Sequence, residues 1–114
     1  MPRDDKSYLL DMLVAARDAM AYAENVSYGD FERNREKQRA IFNAVQEIGE
    51  AASRISPEFK SAHPSIAWPD IVGMRNRLVH AYFDIDLRLV WDTLRNDLPD
   101  LTARLEALAP EMDE

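Results

Sequence analysis

At 114 residues, 46% apolar and 31% charged, the chain is sized for a single globular domain, residues 1–114, with its own core. It holds no cysteine, which excludes a disulfide framework and any cysteine nucleophile or metal ligand, and no apolar run approaches the ~20 residues that span a bilayer. The net charge of −7 argues against a general nucleic-acid binder that tracks a long polymer through a basic groove.

In chain order, Leu9, Leu13, Ala16, Met20 and Ala23 recur at alternating four- and three-residue steps, predicting an amphipathic helix from Asp5 to about Val26. Ser27-Tyr28-Gly29-Asp30 breaks it, with Asp30 as the expected N-cap of a second helix from about Phe31 to Ile55. That helix is charged from Glu32 to Arg39. It is apolar on one face through Ile41, Phe42, Val45, Ile48 and Ala52. The split suggests an N-terminal half projecting beyond the core, or a solvated face laced by pairs such as Glu32–Arg35 and Glu36–Arg39. A connector with Pro57, Pro64 and Pro69 follows, with room for a helical turn over Pro57 to Ser61. Pro69 suits the first turn of a third helix reaching about Val79, and Gly73 inside it implies a close approach of another helix. Asp84 or Asp86 can cap a fourth helix carrying Leu87, Leu89, Val90, Trp91 and Leu94. Pro99 should kink that helix or begin a new one capped by Asp97, with Leu98, Leu101, Leu105 and Leu108 on its apolar face. No strand-like alternation is visible. The reading is an all-α bundle of four to five helices.

The chemistry concentrates in residues 73–82, Gly-Met-Arg-Asn-Arg-Leu-Val-His-Ala-Tyr. Arg75 can clamp a phosphate through two parallel hydrogen bonds, and His80 can move a proton near neutral pH. Together they make a minimal kit for phosphodiester cleavage without a metal. The acidity of the chain does not oppose this. Residues 84–114 hold nine Asp/Glu against three Arg, whereas residues 1–83 hold twelve acidic and eleven basic residues. On one regular helix Arg75 and His80 stand about 140° apart, while Asn76 shares a face with His80 at i, i+4. The helix must therefore end near His80, or two chains must build one site from two motifs. The plain alternative is a solvated Asn76 and Arg77 beside a satisfied, half-buried His80.

Around this decapeptide stand Ile48-Gly49-Glu50-Ala51, Ala67-Trp68-Pro69-Asp70-Ile71-Val72, Phe83, Ile85-Asp86, Val90-Trp91-Asp92 and Asn96-Asp97-Leu98-Pro99. From about Ile48 to Leu108, in this order and spacing, the chain resembles the HepT-like branch of the HEPN-domain ribonucleases. These are the toxin halves of HepT–MntA type toxin–antitoxin pairs. The resemblance implies a HEPN-type helical bundle, a metal-independent endoribonuclease without a cofactor, and Arg75 and His80 as catalytic residues. It further implies a homodimer or higher oligomer, and a cognate MntA-like nucleotidyltransferase antitoxin that transfers AMP to Tyr82. Tyr82 otherwise reads as a ring packed beside the bundle with its hydroxyl at water.

With RNA (mRNA or tRNA) as substrate, attack by the 2′-hydroxyl leaves a 2′,3′-cyclic phosphate and a 5′-hydroxyl. Asn76 either orients the phosphate, fixes the imidazole tautomer, or hydrogen-bonds locally. One motif histidine per chain must meet a need for both acid and base, which independently favours a homodimer. The runner-up is a non-catalytic helical module that binds nucleotide or a partner. Glu47, Glu50, Asp84 and Asp86 read as caps and solvated surface rather than metal ligands. Trp68 and Trp91 read as core or interface anchors rather than base-stacking platforms. The N-terminus shows no signal-type segment, and with no cysteine a cytoplasmic location, away from any membrane, is expected.

Overall fold

The computed structural model describes residues 4–81 and 84–112, the side chains of 79–81, 84 and 109–112 excepted. Its elements are α1 (Asp5–Tyr22), α2 (Tyr28–Arg33), α3 (Arg35–Arg54), α4 (Pro57–Ala62), α5 (Trp68–Val72), α6 (Met74–Leu78), β1 (Val79–Ala81), β2 (Asp84–Ile85), α7 (Leu87–Asp92), a π-helical segment (Thr93–Asp97) and α8 (Leu98–Met112). The all-α reading holds. The strands are one short antiparallel pair, Val79 opposite Ile85 and Ala81 opposite Asp84. None of the described helices is long and apolar enough to cross a membrane.

α1 packs most extensively on α3, and α8 closes over α1. The seam is made of Leu9, Met12, Ala16 and Ala19 from α1 and Ile41, Val45, Ile48 and Ala52 from α3, all at most 1% exposed. Truncating one of the larger of these to alanine typically costs ~2–5 kcal/mol. Polar bonds fix the two helices antiparallel. Lys37 Nζ donates to Tyr22 O at 2.9 Å, where α1 ends. At the opposite end, Ser56 N and Oγ donate to the Asp5 carboxylate at 2.8 and 2.7 Å. Asp4 caps α1 by accepting from Ser7 N–H, and that bond to the charged form holds its carboxyl below the usual carboxylate range.

The predicted second helix is divided. Ser27, not Asp30, caps α2, and Asn34 leaves the helical region (φ −115°, ψ 98°) to cap α3 through Lys37 N–H. Asn favours such a break because its side-chain oxygen replaces a backbone acceptor. The charged start of α3 is not held by the expected pairs: among the described residues neither Glu32–Arg35 nor Glu36–Arg39 forms. Lys37 and Gln38 instead satisfy the carbonyls at the ends of α1 and α2.

Phe31 is fully buried against Trp91, with ring centroids 5.0 Å apart, and Tyr28 meets Trp91 edge-on at 6.0 Å. This cluster pins α2 to α7. A second cluster pairs Phe59 with His63 and Trp68, and Trp68 Nε1 donates to His63 O at 3.0 Å. Both tryptophans are buried anchors, as their sequence context suggested.

Pro99 does not start a helix capped by Asp97. The helix runs on, and the ladder widens so that Leu98 N–H donates to Thr93 O, five residues back. Proline lacks a donor and crowds the carbonyl four residues earlier, and a π turn relieves both.

Candidate active site

Met74 and Leu78, four residues apart on α6, are 4% and 1% exposed, and α6 packs on α3 and α7. With these two turned inward, the residues between them face out. Arg75, Asn76 and Arg77 are all exposed. Leu78 thus acts as the inward anchor of a short turn whose outer side carries two guanidiniums and a carboxamide.

The motif helix differs from its prediction in two ways. It is interrupted at Gly73, which ends α5 by donating to Pro69 O at 3.0 Å, after which Asn76 N donates back to Gly73 O at 3.1 Å. Its end at Leu78 is close to the predicted end near Val79, but a strand, β1, follows directly and holds His80, so the i, i+4 pairing of Asn76 with His80 does not apply. An end of the helix near His80 is one of the two arrangements the spacing required. The His80 side chain and the whole of Tyr82 lie outside the described residues.

The close helix approach expected at Gly73 is found at Gly49. A Cβ at Gly49 would lie 3.1 Å from Ile71 O, whereas at Gly73 the near atom is Pro69 O of the preceding turn, at 3.3 Å. Gly49 therefore lets the carbonyl end of α5 settle on α3, which sets how deeply α6 is seated. The other end of α6 is held too. Asp86 N–H donates to Leu78 O at 2.8 Å, while the Asp86 carboxylate caps α7 through Leu89 N–H at 3.0 Å.

The two arginines of the turn differ. Arg77 donates to Asp70 O at 2.9 Å. Arg75 has no hydrogen bond or ion pair among the described residues, so its planar fork is presented to solvent, ready for an oxyanion. Nothing in the sequence pattern pointed to the Arg77–Asp70 bond, which spans the Gly73 break.

Among the described residues no group of three or more histidine, aspartate and glutamate side chains is placed to hold a metal ion. Glu47 and Glu50 line a shallow groove of about 320 Å³ between α1 and α3, with Tyr8, Asp11, Val14 and Arg54. Glu50 also accepts from Gln46 at 3.2 Å. Asp86 is occupied as a cap.

The profile described as Ribonuclease HepT-like matches residues 12–108, a span that holds α3, α5, α6 and the whole of residues 73–82. The chain belongs to the HepT-like ribonuclease family. Similar proteins match over nearly their full length. One from Thermococcus cleftensis, named as a probable ribonuclease HepT, is 36% identical over 108 residues, 95% of this chain and 98% of the relative. A Methanocaldococcus jannaschii protein, provisionally named an RNase, is 35% identical over 104 residues, 91% of this chain and 95% of its own length. Another provisionally named RNase, from Caldanaerobacter subterraneus, is 28% identical over 103 residues, covering 90% of this chain and 92% of the relative. No solved structure matches the chain significantly. In this HepT-like chain, then, the Arg75–Arg77 turn is seated by Gly49, Met74 and Leu78 and runs directly into the strand that holds His80.

Proposed function

We propose that this HepT-like protein is a metal-independent endoribonuclease toxin. Its relatives' names place them as ribonucleases. The observation that carries the reading is the guanidinium of Arg75, without a hydrogen bond or ion pair among the described residues, exposed on a turn anchored from beneath and four residues ahead of the strand bearing His80.

In the reaction the 2′-hydroxyl of RNA attacks the adjacent phosphorus. The O2′–P bond forms, the P–O5′ bond breaks, and the products carry a 2′,3′-cyclic phosphate and a 5′-hydroxyl. Arg75 binds the phosphate oxygens and neutralises the charge that grows on them. One His80 takes the 2′-hydroxyl proton and another protonates the departing O5′. Two histidines come from two chains, so the site is shared across a homodimer. Asn76, exposed beside Arg75, orients the phosphate.

For regulation the reading rests on the resemblance to the HepT-like toxins, which implies that Tyr82, two residues past His80, is an acceptor of AMP. A nucleotidyltransferase of the MntA kind transfers AMP from ATP to the Tyr82 hydroxyl: the tyrosyl O–Pα bond forms, the bond from Pα to the β-phosphate breaks, and pyrophosphate and the phenolic proton leave. The added phosphate then competes for Arg75 while its bulk blocks RNA.

The test is RNA cleavage by purified protein in EDTA, with and without His80→Ala. Cleavage that survives chelation and disappears in the folded alanine variant supports the reading. An inert wild type that still binds nucleotide would favour a non-catalytic binding module.

A further inference from the structure

Arg77 sits two positions after Arg75 on the same exposed turn, and a second phosphate contact is the obvious role for it. The geometry points to a different one. At Gly73 the ladder of helical hydrogen bonds is interrupted, leaving α5 and α6 as separate five-residue pieces. The guanidinium of Arg77 reaches back across that break and donates to Asp70 O at 2.9 Å. We infer that Arg77 is a positioning residue, a staple between α5 and α6 that fixes the direction in which the Arg75–Asn76 turn points.

A five-residue helix supplies little of its own rigidity, because few hydrogen bonds offset the cost of ordering it. What holds α6 is the burial of Met74 and Leu78, the Asn76 N–Gly73 O bond at its start and the Asp86 N–Leu78 O bond at its end. All of these act on the inner side or on the backbone ends. Among the described contacts, the Arg77–Asp70 bond is the one made by a side chain on the outer surface, beside Arg75. α5 is itself fixed, by the buried Trp68 and Ile71 and by the tight seat of Ile71 O at Gly49. The staple therefore ties the outer side of α6, which is otherwise held from its inner side and its ends, to α5. A guanidinium engaged this way has one of its donors committed to a carbonyl of α5.

The link to catalysis rests on the ribonuclease reading; the staple itself does not. Two measurements separate them. Amide hydrogen exchange on wild type, Arg77→Met and Arg77→Lys reads the staple directly. Met keeps the aliphatic stem without a donor, and Lys keeps one donor. Exchange across Met74–Leu78 should rise several-fold in the Met variant and return part-way in the Lys variant, with α1 and α3 unchanged. Unchanged exchange in α6 of the Met variant overturns the inference, whatever the protein does to RNA.

The second measurement is cleavage kinetics over a range of salt concentrations. Arg77→Met should lower kcat about tenfold or more through misplacement of Arg75, leaving KM and its salt dependence unchanged. A rise in KM, with a salt slope reduced by about one phosphate contact, would show that Arg77 binds substrate and overturn the positioning role. A wild type that cleaves no RNA would defeat the ribonuclease reading, and the exchange result would still decide the staple.

Discussion

Arg75 projects from α6 with its fork open, while Arg77 is held on the carbonyl of Asp70. The difference sets what each substitution should do. Arg75→Lys keeps the charge but loses the planar pair of donors. Cleavage should fall on the order of 100-fold, the usual cost of removing a donor aimed at developing charge. Stability should stay within ~0.5 kcal/mol because the side chain is exposed. Full activity in the lysine variant, measured by initial rates, would reduce Arg75 to a diffuse positive charge. Tyr82→Phe removes only the acceptor oxygen. After incubation with ATP, Mg²⁺ and a cognate nucleotidyltransferase, intact mass should show AMP on the wild type and none on the Phe variant, which should still cleave RNA. Equal modification of both would move the acceptor to another residue, with Tyr8, Tyr22 and Tyr28 the remaining tyrosines.

At the scale of elements, the long amphipathic segments were legible because their burial follows a helical period. Leu9, Leu13 and Ala16 on α1, and Ile41, Val45, Ile48 and Ala52 on α3, are buried as the pattern requires. The breaks were less legible. Asn34 divides a run whose periodicity continues across it, since a cap is a local competition between side chain and backbone. The π turn before Pro99 solves a problem that the sequence poses without fixing the solution. Gly49 and Gly73 were both visible, but only three-dimensional packing shows which one is squeezed. Gly49→Ala puts a methyl 3.1 Å from a backbone oxygen and should destabilise the fold by ~1–3 kcal/mol. At Gly73 the backbone is ordinary (φ −83°), so the restricted unfolded chain of Gly73→Ala offsets its tighter contact. The net change there should stay below ~1 kcal/mol. Urea unfolding of the two variants checks the ranking, and equal losses would contradict it. Of the candidate site, the Arg75 turn was legible as a motif. Its support by Arg77 was not, because that bond crosses a helix break.

For the whole molecule, the chemistry asks for an acid and a base, and each chain carries one motif histidine. The active species should therefore be a homodimer. Sedimentation of the purified protein should give twice the 13.1 kDa chain mass or a higher even multiple, and a fully active monomer would contradict the shared site. If His80 and Arg75 drive internal attack by the RNA itself, the ends of the products carry the signature. RNA cleaved by the wild type in EDTA should carry 2′,3′-cyclic phosphate and 5′-hydroxyl termini, with no such products from His80→Ala. Fragments with 3′-hydroxyl and 5′-phosphate ends, or cleavage that appears only when a divalent ion is restored, would contradict it.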